Sequence, residues 1–245
     1  MGKLSEIKNN ESLNEVKKSK WDELLATDKK NKDVSNGFDA ISMDDFRHTA
    51  KSRISELIDE NASLKNANSE LAAEISKKTI TESKRSKMYT DIKECNPNYE
   101  EGKRWKINCQ RCVPAYELRR RGYEVVSQPK PIIVTTKDLS FHPFDVWKNP
   151  DVIKAGKNAK SEIEDKMKEW GDGARVQIVV VWKGTNSGHT FVAEQLNGQT
   201  IFMDPQTGKT DVSKYFDFVE PNKIRYCRID NLDFTEKIKE CYKEV

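Results

Sequence analysis

Histidine is scarce in this chain, with three in 245 residues. Any chemistry that needs an imidazole must draw on His48, His142 or His189. Long apolar runs are missing too: no stretch approaches the roughly 18 residues a membrane span requires, so no membrane partner is expected. The opening MGKLSEIKNNESLNEVKKSK lacks the apolar core of a secretory leader. Its Met-Gly is followed at position 6 by Glu6, where an acylation signal wants Ser or Thr. The protein is therefore expected to be made and folded in the cytoplasm. A basic stripe is also lacking, because the 43 Lys and Arg are interspersed with 40 Asp and Glu. Nucleic acid is not an expected partner. Five cysteines is an odd number, and without an export signal it argues against a disulfide framework.

What is present divides the chain into three. Residues 1–50 are rich in Lys, Asn, Asp and Ser with no sustained period, which reads as a polar segment of short helices and linker. Residues 51–90 form a candidate coiled-coil helix. Leu57, Leu64 and Leu71 recur every seven residues, and Ile54, Asn61, Asn68 and Ile75 occupy the interleaved positions. Asn at such positions lowers stability but fixes register, because its amide finds a partner only when two helices align in parallel. A parallel homodimer through residues 52–78 is expected. Residues 95–245 hold all eight prolines, every cysteine and four of the five tryptophans, and should fold as a globular domain.

Within that domain, CVPAYELRRRG predicts a helix closed by Gly122, and AKSEIEDKMKEWG predicts a second with Ile163, Met167 and Trp170 on one face. YEVVSQ and PIIVTT are short strand candidates. ARVQIVVVWKG suits a central strand, and HTFVAEQL alternates like a half-buried one. Asn197-Gly198 signals a tight hairpin into QTIFMD. KIRYCRI adds a candidate edge strand and TEKIKECYKEV a closing helix. A helix followed by an antiparallel sheet is an α+β arrangement.

The pair Cys109 and Cys112, in INCQRCVPAYELRRRGYEV, carries the chemistry. A zinc site would need Cys227 and Cys241 to complete four ligands, and their spacing is not that of a second CxxC. A dithiol redox site expects a βαβ crossover after the pair, where this sequence places hairpins. A nucleophile at a helix start remains. Pro114 has no amide hydrogen and is tolerated in the first turn, which predicts a helix start at residues 111–113 and puts Cys112 beside the unsatisfied amides of that turn. With Cys109 as the capping residue, Pro114 would fall in the second turn at a cost of about 3 kcal/mol. His189 opens the strand HTFVAEQL after a turn and is the candidate base; His142 reads as a loop residue and His48 precedes the coiled coil. Asp204, at the end of the hairpin partner, is either the group that orients His189 or a turn carboxylate bonding its own backbone.

INCQRCVPAYELRRRGYEV followed by GHTFVAEQLNGQTIFMDPQTG resembles the papain-fold toxin family regarded as glutamine deamidases, found in polymorphic toxins and attached to phage minor head proteins. The resemblance covers roughly residues 95–245. It implies a papain-like cysteine hydrolase domain with a catalytic Cys112, His189 and Asp204, no cofactor or metal, and a protein substrate attacked at a glutamine side chain. Cys109 stands as the alternative nucleophile and Gln206 as the alternative orienter, with Asn108 or Gln110 as an extra oxyanion donor. The rival activities are a cysteine protease, which shares the chemistry, and a non-catalytic phage head or assembly module. A phage head or delivery partner, and residence in a virion or a target cell, are expectations of the same resemblance.

Overall fold

A computed structural model describes residues 43–245. The expectation of short helices and linker near the start falls mostly on residues 1–42, outside the described residues. The chain divides into two compact units, Met1–Glu70 and Leu71–Val245. Helix α1 spans Met43–Glu94. Within the first unit, Ile54, Leu57, Ile58 and Leu64 are exposed, so the heptad stripe there meets solvent.

In the second unit, α2 (Cys109–Arg120) and α3 (Ala159–Trp170) accompany a five-stranded antiparallel sheet. The strands are β2 (Ile153–Lys154), β3 (Arg175–Val181), β4 (Gly188–Leu196), β5 (Gln199–Met203) and β6 (Arg225–Arg228), in the order β2-β6-β3-β4-β5. Separately, β1 (Val125–Ser127) pairs with β7 (Tyr242–Glu244).

The sheet is covered on both faces, which explains a departure from the expected half-buried β4: every residue from Thr190 to Leu196 is buried. Successive side chains of a strand point to opposite faces. Val192 and Leu196 accordingly join one core with Cys112, Val113 and Tyr116 of α2. Phe191 and Ala193 join the other with Ile163 and Met167 of α3. Each large apolar side chain so buried contributes about 2 kcal/mol. Glu194 faces α2 as well, and its charge is met there by Arg120 (2.7 Å) and by the Tyr116 hydroxyl, which donates at 2.8 Å.

The basic run Arg119–Arg121 thus belongs to the interior. Arg120 also reaches Asp91 of α1 (3.2 Å), Arg119 pairs with Glu94, and Arg121 meets the fully buried Glu117 (2.8 Å), which Arg175 of β3 approaches to 2.6 Å. These pairs tie the end of α1, α2 and the sheet together, because removing one partner of a buried pair leaves an uncompensated charge.

Asn197 and Gly198 both take positive φ, 51° and 70°, the turn that matches strand twist and sets the β4–β5 register. Three expectations are corrected. PIIVTT forms no strand: Pro129 and Pro131 remove ladder donors, and Ile132 and Ile133 stand exposed. β6 is interior, since the two-residue β2 takes the edge beside it. TEKIKECYKEV splits into a 3-10 turn (Glu236–Glu240) and β7.

Candidate active site

The site begins at the start of α2. Asn108 caps the helix with its carbonyl, which accepts from the amides of Arg111 (2.8 Å) and Cys112 (3.1 Å). Its side chain turns inward and donates to Asn96 Oδ1 (3.2 Å), Ser127 Oγ (3.3 Å) and the Gln128 carbonyl (3.0 Å). Two further amides at the helix start are served from across the molecule. The Gln206 carboxamide turns its oxygen to the N–H groups of Asn108 and Cys109, 2.8 Å from each. Gln206 therefore caps the start of α2.

α2 starts at Cys109, not at residues 111–113, so the helix start expected beside Cys112 is corrected and Cys109 takes that place. Pro114 lies inside the helix. The cost that argued against this start is offset by burial of α2 from Gln110 to Leu118. One turn in from the start, Cys112 belongs to the core with Met88, Ile92 and Tyr116 and is 0 % exposed. Burial pushes its thiol well above the usual range. Cys95, Cys227 and Cys241 are buried too, each with its thiol raised by desolvation. Cys109 is half-buried and borders a cleft of about 490 Å³ that His189, Gln110, Ser140, Trp182 and Tyr215 also line.

His189 stands at the mouth of β4 and lines the same cleft as Cys109. Its Nε2 lies 3.1 Å from Asp204 Oδ2. Asp204 fills both roles the sequence allowed. Its Oδ1 accepts from the Gln206 amide (2.9 Å), closing the Asp-Pro turn, while Oδ2 faces His189 and also accepts from Thr207 Oγ1 (2.9 Å) and the Tyr215 hydroxyl (3.1 Å). The turn thus places Asp204 on the imidazole and Gln206 on the helix start together.

Burial opposes a charged imidazole at this position, but the hydrogen bonds to Asp204 and Cys109 outweigh it and push His189 up to about 10. Burial likewise raises the Asp204 carboxyl, yet the hydrogen bond and charge of His189, with the Gln206 amide and Thr207, bring it below its ordinary value. Trp182 stacks on the His189 ring at 5.7 Å, and Tyr215 meets both edge-on. A tryptophan face attracts a cation, so the stack favours imidazolium.

The Asn108 carboxamide is thus engaged inside the fold, whereas Gln110 lines the cleft: its carboxamide oxygen accepts from Cys109 Sγ (3.3 Å), its Nε2 donates to Ser140 Oγ, and its backbone amide has no acceptor among the described residues. Of the other histidines, His48 is exposed on α1 and His142 on a loop. No cluster of three or more metal-ligating side chains occurs among the described residues. Trp182, Thr207 and Tyr215 were not singled out from the sequence. Trp182 carried a signal, lying just across a short turn from His189; Tyr215 carried none, because only the 3-10 turn Ser213–Phe218 brings it back.

Residues 107–209 match the family model described as papain fold toxin 1, glutamine deamidase. No curated protein matches the chain. The match and the structure agree on a papain-like α+β domain preceded by a long helix.

Proposed function

We propose that the domain is a cysteine-dependent glutamine deamidase acting on proteins, with Cys109 as nucleophile, His189 as acid and base, and Asp204 as the residue that orients the ring. One observation carries the reading: the half-buried Cys109 at a helix start lines the same cleft as His189, whose Nε2 lies 3.1 Å from a buried carboxylate. The Cys109 sulfur attacks the carbon of a glutamine carboxamide as its proton passes to His189. The Gln110 backbone amide, at the positive end of α2, stabilises the oxyanion. Collapse of this intermediate breaks the C–N bond as His189 gives its proton to the departing ammonia, leaving a thioester. Water, deprotonated by His189, attacks the thioester; glutamate leaves and the thiol is restored.

The match of residues 107–209 supports deamidation over peptide cleavage, since the two chemistries differ only in which carbonyl the cleft admits. Mass spectrometry of glutamine-bearing peptides and cell-extract proteins exposed to the full chain separates them. Conversion of glutamine to glutamate, lost in Cys109→Ala, is expected; new chain ends would mean a protease, and no change at all would leave a binding module.

A toxin role fits this reading, with the helical part serving dimerisation and attachment to a phage head or another delivery partner. The observation behind the dimer is that Ile54, Leu57, Leu64, Leu71 and Ile75 are all exposed along α1. Apolar residues repeating at this period are covered when a second copy pairs in register.

A further inference from the structure

A second cavity, of about 530 Å³, is lined by five cationic side chains, Arg104, Arg111, Lys137, Lys237 and Lys239, against two carboxylates, Asp138 and Glu240. Lys237 is paired with Asp145 (2.8 Å) and Lys239 with Glu236 (2.5 Å), neither of which lines the cavity. Arg104 donates to the Lys130 carbonyl (2.5 Å), and neither it nor Lys137 forms an ion pair with a carboxylate among the described residues. Arg111 is 3 % exposed. Its Nη2 donates to Asp138 Oδ2 (2.8 Å) and lies 3.7 Å from Glu240 Oε2, while its Nη1 is buried without an acceptor. A buried guanidinium N–H left unmade is costly and calls for a partner.

We propose that this cavity binds a small anion carrying two or more phosphates, held by Arg111, Arg104 and Lys137. The planar guanidinium suits phosphate oxygens, three cations without a carboxylate partner outside the cavity face its two carboxylates and leave an excess of positive charge, and the volume is that of an ordinary ligand site. Occupancy is felt at the nucleophile by two routes. Arg111 bonds Asp138, whose other oxygen accepts from Ser140 Oγ (2.5 Å); Ser140 accepts from Gln110 Nε2 (2.5 Å), and Gln110 touches Cys109 Sγ (3.3 Å). The loop also joins the two cavities, since Lys130 lines the cleft while Pro131 and Ile133 line the cationic one.

Calorimetric titration of the full chain with pyrophosphate tests the site without reference to deamidation, so it stands or falls separately from the proposed activity. Saturable binding is expected, weakened about tenfold or more by Arg104→Ala with Lys137→Ala, half-exposed or exposed positions whose loss leaves the fold intact by circular dichroism. Arg111→Lys should weaken it as well. No binding, or wild-type affinity in the double variant, overturns the proposal. Saturating pyrophosphate should change the alkylation rate of Cys109 in the wild type and not in the double variant; an unchanged wild-type rate overturns the link to the nucleophile.

Discussion

Placing the proposed nucleophile at Cys109, three positions before Cys112, changes what a thiol reagent is expected to meet. A mild electrophile at neutral pH should label Cys109 ahead of the four buried thiols. Peptide mapping of the folded chain after brief exposure to iodoacetamide checks this, and early label on Cys112 would reverse the assignment. Cys109→Ala should remove both label and turnover, whereas Cys112→Ala should keep both and lose about 1 kcal/mol of stability through lost burial. His189 adds a pH signature. Its pKa is raised from the ordinary value near 6.5 to about 10 in the folded chain. Its stabilising contribution is therefore complete below pH 6.5 and disappears as pH rises through about 10. Asp204, whose pKa is lowered, contributes above its unfolded value near 3.9 and loses that contribution as pH falls below it. Urea midpoints of the wild type and His189→Gln should converge toward pH 10. A gap that persists there would show that the charged pair is not the source.

At the scale of elements, the hairpin and its terminal turn set the geometry of the His189–Asp204 pair, and Gln206 is the joint between them and α2. Replacing Gln206 with Ala frees the Asn108 and Cys109 amides it now holds, and loss of such a cap costs about 1–2 kcal/mol. Turnover should fall while KM changes little, because the sulfur loses its fixed position and the cleft walls stay. Rescue by Gln206→Glu, which keeps an acceptor oxygen, is the matching control in thermal unfolding and kinetics. How much of this was legible follows from the reach of each signal. The Asn-Gly turn, the apolar β3 and the Ile163–Met167 stripe are local patterns, and the structure reads as they do. Pro114 misled because a local cost of about 3 kcal/mol was weighed without the tertiary burial of α2 that offsets it. PIIVTT has β-branched residues but no partner strand, and β2 is too short to leave a pattern. Cys109, His189 and Asp204 were visible by type; the cap by Gln206 and the contact from Tyr215 join residues brought together only by the fold.

For the whole molecule, the open matter is the stripe on α1. Seven apolar or amide residues from Ile54 to Ile75 keep the heptad period, and none is buried among the described residues. A second copy aligned in parallel would cover Leu57, Leu64 and Leu71 and let Asn61 and Asn68 pair with their counterparts. Light scattering of the full chain should report a dimer, and Leu57→Asp with Leu64→Asp should convert it to a monomer, since each Leu lost from a buried seam removes about 2 kcal/mol before the charge is counted. The cleft is lined only by residues from Lys106 onward, so Cys109 labelling should be the same in monomer and dimer. Asn61→Leu with Asn68→Leu should tighten association while loosening its stoichiometry, because the amides select register at the expense of stability. A full chain that stays monomeric at high concentration would instead assign the stripe to a different partner, and attachment to a delivery particle would then have to begin there.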